Sequence, residues 1–282
     1  MNNILLSAGE HRVDLAATPD QHQILFVGGL HRSGTSMISR SLGQHPMIGT
    51  LQNTNVPEDE GQHLQDVYPA GRKYGGPGKF GFAPGAHITE QSPLANHDNA
   101  LRMWRQWLPY WDAQRPYFAE KSPPNLIRSR FLQALFPQTY FLMIVRHPIA
   151  VSLATQKWSW TPLESLLAHW HKCYQIMRED VPHLRRVRVI RYEDFVQDPQ
   201  RMLSDLFCWL DLPNQDINVQ ADPRINDNYF ARWRTFRQTW FGAWRARRLE
   251  RKYRQVWQSF GYADPAVGNP IECVASGSNA PR

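Results

Sequence analysis

The sequence predicts an α/β fold: a P-loop-like central parallel sheet flanked by helices, with a long Gly/Pro-rich lid inserted into it. Three observations carry this expectation. An apolar run at residues 24–27 passes directly into a glycine-rich turn, Gly28-Gly29-Leu30-His31-Arg32-Ser33-Gly34-Thr35-Ser36, and then into a helical pattern with Met37, Ile38 and Leu42 on one face. Strand-like and helix-like patterns then alternate, which implies parallel strands joined by crossover helices. Residues 140–145 form a continuous apolar run, as expected of a strand covered on both faces.

The first turn is the most specific feature. From Gly29 to Ser36 the spacing is that of a P-loop: glycine, four residues, glycine, two more. A strand, a tight loop and a helix in succession turn backbone N–H groups toward a bound phosphate. Thr35 stands where the P-loop lysine belongs, and a different cation, Arg32, sits inside the loop. Glycine-rich turns also serve as plain connections. Here, however, a cation and the hydroxyls of Ser33, Thr35 and Ser36 crowd a helix N-terminus, where unpaired N–H groups and the helix dipole already favour negative charge. The loop reads as an anion site, but not one for ordinary nucleotide triphosphate chemistry.

Length and composition set the frame. The 282 residues suit one large domain at 24–264, preceded by an N-terminal extension at 1–23 and followed by a Pro/Gly/Ser-rich, flexible tail at 265–282. The 42% hydrophobic content is enough for a substantial core, and the net charge of +7 suits a polyanionic ligand or an acidic partner. Cys173, Cys208 and Cys273 are far apart and show no metal-ligand spacing, which argues for a reducing compartment. The apolar patch at residues 4–6 is broken by Glu10, His11, Arg12 and Asp14, so it does not read as a secretory signal. No apolar run approaches membrane-spanning length. The expectation is a soluble, cytoplasmic protein.

The other elements follow from periodicity. Residues 49–89 are irregular, with Pro57, Pro69, Pro77, Pro84 and many glycines. The aromatics Tyr68, Tyr74, Phe80 and Phe82 in this stretch favour a packed lid over a linker. Residues 96–111 predict a helix with Leu101, Trp104, Trp107 and Leu108 on one face. Further helices are expected over 126–136, from about 149, over 163–177 and over 202–210, and a third short strand over 187–190. Residues 232–254 interleave arginine with tryptophan. Such a segment can grip single-stranded nucleic acid, though an amphipathic helix that buries its tryptophans is the preferred reading. Alternatively, residues 226–233 could close over a bound nucleotide.

Three charged blocks lie at or near predicted element ends. Arg146-His147-Pro148 follows the strand at 140–145, and in open α/β sheets ligands bind beyond the carboxyl ends of the strands. Glu120-Lys121-Ser122-Pro123-Pro124-Asn125 precedes a predicted helix, where Ser122 or Asn125 could simply cap. Arg191-Tyr192-Glu193-Asp194 ends the strand at 187–190, and its carboxylates could pair with nearby arginines.

Taken in order, these blocks resemble the sulfotransferases that use 3′-phosphoadenosine 5′-phosphosulfate (PAPS), in particular the bacterial and tyrosylprotein-type branch. The turn at 28–36 resembles their 5′-phosphosulfate loop. Glu120-Lys121-Ser122-Pro123, Leu135-Phe136-Pro137, Val145-Arg146-His147-Pro148 and Arg191-Tyr192-Glu193-Asp194 resemble the motifs that follow it, and the likeness covers residues 24 to about 199. The resemblance implies transfer of the sulfuryl group of PAPS to a hydroxyl acceptor (a glycan, a tyrosyl group or another alcohol or phenol), without a metal, leaving the product PAP. An anionic acceptor would suit the charge, and nucleic acid is not the expected partner. Gly29, His31, Arg32, Ser33, Gly34, Thr35 and Ser36 would then hold the 5′-phosphosulfate. Arg32 and Lys121 would neutralise charge at the reacting oxygens, Arg146 would hold the 3′-phosphate, and Tyr192 would belong to the same cofactor site.

Two positions depart from the family pattern. The family's serine eight residues after the arginine is Ala154 here, leaving Ser152 or Thr155 to supply that hydroxyl. The position matching the tyrosylprotein-type glutamate falls near Asn53, which cannot act as a base. The nearest carboxylates are Glu58, Asp59 and Glu60. Two readings stand for them: a solvated acidic turn, or the source of the general base, with Glu60 first, Asp59 next and His63 as an outside candidate. Two other classes stay open: a P-loop kinase or other NTPase, and a non-catalytic basic protein that binds polyanions.

Overall fold

A computed structural model describes residues 19–262. Most of the expected N-terminal extension and the whole 265–282 tail lie outside the described residues. In chain order the main elements are strand β1 (Gln23–Gly29), helix α1 (Thr35–Leu42), β2 (Ile48–Thr50), α2 (His97–Trp107), β3 (Tyr117–Lys121), α3 (Ser129–Leu135), β4 (Thr139–Val145), α4 (Pro148–Gln156), α5 (Leu163–Asp180), β5 (Val187–Arg191), α6 (Tyr192–Gln197), α7 (Pro199–Trp209), α8 (Asp227–Gln238) and α9 (Trp240–Ser259).

The strands form one parallel sheet in the order β2-β3-β1-β4-β5. β1 lies at its centre, with Phe26 opposite Glu120 on β3 and Phe141 on β4. Because all strands run the same way, the ends of β1, β3, β4 and β5 emerge on one edge. Gly29, Lys121, Arg146 and Tyr192 are therefore brought to that edge from four separate stretches of chain. β1, β3 and β4 are buried along almost their whole length, consistent with a sheet covered on both faces. One core layer joins Leu25, Val27, Ile38, Leu142, Ile144, Phe195 and Phe207. On the other side Phe26 stacks on Phe141, and Trp104 and Trp111 stack against Phe118.

Several elements depart from the periodicity reading. β2 has only three residues and occupies the start of the stretch expected to be irregular. β3 carries Glu120 and Lys121 inside a fully buried strand, so its charges hid it from an apolar-run search. The block expected merely to precede a helix is therefore a strand end. The helix expected over 126–136 is a 3-10 turn followed by the shorter α3. The lid is a chain of short 3-10 turns with Tyr68 and Phe80 buried.

The described chain forms two compact units that divide between Ile225 and Asn226, inside the span expected as one domain. The second unit contains α8 and α9 in place of one continuous helix. Thr239 separates them: its backbone is extended and its hydroxyl accepts from the Gly242 amide (3.1 Å), capping α9. Trp233, Leu249, Tyr253 and Trp257 are buried in this unit, and the Glu250 carboxylate accepts from Trp233 (3.3 Å) and Arg237 (2.6 Å).

Candidate active site

The loop between β1 and α1 is shaped by its backbone. Gly34, the residue before α1, has φ 97° and no side chain with which to cap the helix. A Cβ there would lie 2.2 Å from the ring of Tyr192, so only glycine fits. The first N–H groups of a helix have no intrahelical partner, and here no side chain caps them. Arg32 is held at φ 70°, a left-handed conformation that costs a non-glycine residue about 1–2 kcal/mol. Its carbonyl accepts from Arg146 Nη1 at 2.8 Å, which ties the end of β4 to the crest of the loop. The Arg146 guanidinium also lies 4.5 Å from the centre of the Tyr192 ring. Loop, Arg146 and Tyr192 thus form one contact group. The exposed Arg32 guanidinium lies 4.3 Å over Trp158.

Ser33 and Thr35 are buried within the loop, while Ser36 is partly exposed. The Ser36 hydroxyl donates to Glu58 at 3.0 Å. Glu58 therefore stands beside the N-terminus of α1, and an anion using that hydroxyl would have to take its place. His31 faces inward. It lines a cavity of about 10 Å³ with Ser152, Thr155 and His169, among others, room for about one water molecule. Ser152 and Thr155, nominated to accompany Arg146, thus line this cavity, of which Arg146 is not a lining residue. Burial, with Lys121 and His63 nearby, lowers the His31 pKa to about 4, so its imidazole is neutral at physiological pH.

The opposite wall is built from β3 and the start of the lid. Glu60 is buried, whereas Glu58 and Asp59 are exposed. Its carboxylate accepts from Lys121 Nζ at 3.1 Å and from Gln62 Nε2 at 2.5 Å, and His63 Nε2 lies 3.7 Å away. Burial pushes the Glu60 carboxyl above the usual carboxylate range, with Lys121 and Gln62 pulling the other way. Asp59 instead accepts from the Thr54 hydroxyl (2.5 Å) and amide (3.2 Å). Of the candidate bases, the structure joins Glu60 and His63 to Lys121's surroundings and turns Asp59 to a local turn.

What fixes Glu60 is a residue given no role from the sequence. Glu120 is fully buried and accepts from the Gly61 amide (2.9 Å), the Ser122 hydroxyl (2.5 Å) and the Asn125 amide group (2.6 Å). The Gln62 amide donates to Ser122 at 3.1 Å, and Trp107 Nε1 donates to the Gly61 carbonyl at 2.9 Å. A Cβ on Gly61 would lie 2.7 Å from Glu120 Cγ, so this close approach also requires glycine. The signals in the sequence were the place of Glu120 at the head of the Glu120-Lys121-Ser122-Pro123 motif and Gly61 directly after the acidic run.

The site is an edge of a P-loop-like α/β sheet that gathers Arg32, Lys121 and Arg146, with the buried Glu60 carboxylate beside the lysine. The sequence model of the Sulfotransferase family matches residues 24–216, more than half of the chain, and the chain belongs to that family. It is 22% identical over 252 residues to a protein-tyrosine sulfotransferase of Drosophila melanogaster, covering 78% of this chain and 46% of that protein. It is 24% identical over 218 residues to protein-tyrosine sulfotransferase 2 of Gallus gallus, covering 72% of this chain and 54% of that protein. The chain thus spans about half the length of these relatives. A sulfotransferase structure from Mycobacterium avium superposes with a TM-score of 0.53 at 14% identity, covering 88% of this chain and 79% of that one, which supports the fold.

Proposed function

We propose that this chain transfers the sulfuryl group of PAPS to a hydroxyl acceptor. The observation that carries the reading is the Lys121–Glu60 pair, a cation and a buried carboxylate 3.1 Å apart on the sheet edge that also bears the phosphate-type loop. The residues fit the nucleotide: an uncapped helix N-terminus and the cations Arg32, Lys121 and Arg146 match a ligand with phosphate and phosphosulfate groups. PAPS supplies a sulfuryl group whose leaving phosphate is already stable as an anion, so positioning and charge stabilisation supply most of the catalysis.

In this reading the loop amides, Ser33, Thr35 and Ser36 hold the 5′-phosphosulfate, with Gly29, His31 and Gly34 giving the loop its shape. Arg32 and Lys121 stabilise the charge that develops on the transferred group and the leaving oxygen. Arg146, beside Tyr192, takes the 3′-phosphate. Ser152 or Thr155 would add a hydroxyl from the cavity they line beside the loop. Glu60 removes the acceptor's hydroxyl proton, and its raised pKa brings it closer to working pH, as suits a general base. His63, whose Nε2 lies 3.7 Å from Glu60, is the second choice for that role, ahead of Asp59, which is bound to Thr54. The protein-tyrosine relatives make a tyrosyl hydroxyl one acceptor to test, alongside glycans and simple phenols. A cytoplasmic setting fits the dispersed cysteines.

The test is thermal. PAP at about one hundred times its Kd should add about 2.7 kcal/mol of stability and raise Tm by roughly 5 °C or more. ATP with Mg²⁺ should do far less. Equal shifts from the two ligands would overturn the PAPS assignment.

A further inference from the structure

We propose that the exposed face of α9 docks the protein onto an anionic lipid bilayer surface. Trp240, Trp244, Arg247, Arg248 and Arg251 recur at the spacing of one helical face. They line a single shallow groove together with Ala243. Trp240 is 86% exposed, Trp244 53% and the adjacent Phe241 56%. The opposite face holds the buried residues Gly242, Ala246, Leu249, Tyr253 and Trp257, so the exposed rings are not needed to fold the helix. α9 carries five arginines and one lysine against one acid, Glu250. That acid is buried and already paired with Arg237. The outward face is therefore cationic without any acidic residue.

The arrangement of the rings favours a membrane over a nucleic acid strand. Base stacking needs open ring faces spaced along a cationic track. Here the exposed aromatics Trp240, Phe241 and Trp244 gather in the first turn and a half of α9 instead of spacing along it, and Phe241 and Trp244 are each covered on part of a face. Phe241 and Trp244 stack on each other at 6.3 Å, Arg245 lies over Phe241 at 5.3 Å and Arg248 over Trp244 at 5.7 Å. An apolar aromatic end beside a cluster of arginines is the pattern of a helix lying in the headgroup region. There amphipathic rings sit at the interface and basic side chains meet anionic lipid. Among the described residues no helix is long and apolar enough to cross a membrane, so the contact proposed is with the surface.

The experiment is co-sedimentation of the full chain with vesicles of phosphatidylcholine alone or mixed with phosphatidylglycerol. The protein should pellet with the anionic vesicles only, and 0.5 M salt should release it, because the attraction is screened. The combined variant Arg247→Gln, Arg248→Gln, Arg251→Gln should weaken partitioning by about a hundredfold, about fivefold for each charge removed. The combined variant Trp240→Ser, Phe241→Ser, Trp244→Ser should weaken it by about tenfold or more. Both sets lie on the exposed face, and circular dichroism with an unchanged PAP-induced Tm shift would confirm folding. Three results would overturn the proposal: no binding to either vesicle, full binding by the aromatic variant, or preference for oligo(dT) over anionic vesicles. The last would assign the face to nucleic acid.

Discussion

The two walls of the site are made in different ways. The loop wall takes its backbone shape from consecutive residues, with Arg32 at φ 70° and Gly34 at φ 97°; Arg146 and Tyr192 buttress that shape, and the Arg32 side chain stands toward solvent. The carboxylate wall is assembled at long range. Glu60 meets Lys121 across 61 positions and Gly61 meets Glu120 across 59, and both carboxylates are buried. Binding an anion needs oriented amides and cations, which a turn can supply. Setting a base above its ordinary pKa needs desolvation, which only tertiary packing can supply.

The largest effect should come from the long-range wall. Glu60→Gln should lower turnover by about two to four orders of magnitude with PAP affinity little changed. Asp59→Asn, which removes an exposed carboxylate bound to Thr54, should change turnover by less than about threefold. The pH profile sharpens the contrast. A base acts when deprotonated, so the rate falls as pH drops through its pKa. Burial raises the Glu60 pKa, so the acidic limb should lie above the usual carboxylate range and vanish in Glu60→Gln. A normal limb in that variant would move the base elsewhere, with His63 the next group to replace.

The loop wall should break differently. Gly34→Ala places a methyl group 2.2 Å from the Tyr192 ring and in a left-handed backbone. The loop must shift, and PAP affinity should fall by about tenfold to a hundredfold, matching the ~1–3 kcal/mol typical of overpacking. Relieving the clash with Tyr192→Ala should restore part of the shape, although the φ strain would remain. If Gly34→Ala binds PAP normally by calorimetry, the anion does not sit on this loop.

The same contrast explains what could be read from the chain. The loop, β1, β4 and Arg146 were legible because a short apolar run that ends in glycines, or in Arg-His-Pro, is a signal contained within one stretch. β3 was not, since Glu120 and Lys121 interrupt its apolar pattern. Position in the lid made Glu60 a candidate base, but nothing local distinguished it from Glu58 and Asp59. The distinction comes from β3, which covers one of the three and leaves its neighbours in solvent. Residues 232–254 predict one helix because the cap at Thr239 lies within an otherwise continuous Arg/Trp pattern.

An effect on turnover smaller than that of Glu60→Gln joins the two walls, because it alters the support of the proposed base while leaving that residue in place. Glu120 accepts from Gly61, Ser122 and Asn125 without touching Lys121's partner directly. In Glu120→Gln one oxygen is kept and an NH₂ group replaces the other. That group meets Asn125 donor to donor, or forces Asn125 to flip and abandon its bond to the Val27 carbonyl. An unmatched buried polar group of this kind costs about 1–3 kcal/mol, to be read as a lower Tm. The Glu60–Gln62 turn would then sit less firmly, and turnover should fall by about tenfold, in keeping with a misplaced rather than a missing group. The acidic limb should persist in Glu120→Gln, because Glu60 is still there to titrate. PAP affinity should hold, because the loop wall is untouched. A vanished limb would make Glu120 part of the proton transfer itself. A lower Tm with normal turnover would leave it as a fold anchor with no hold on the base.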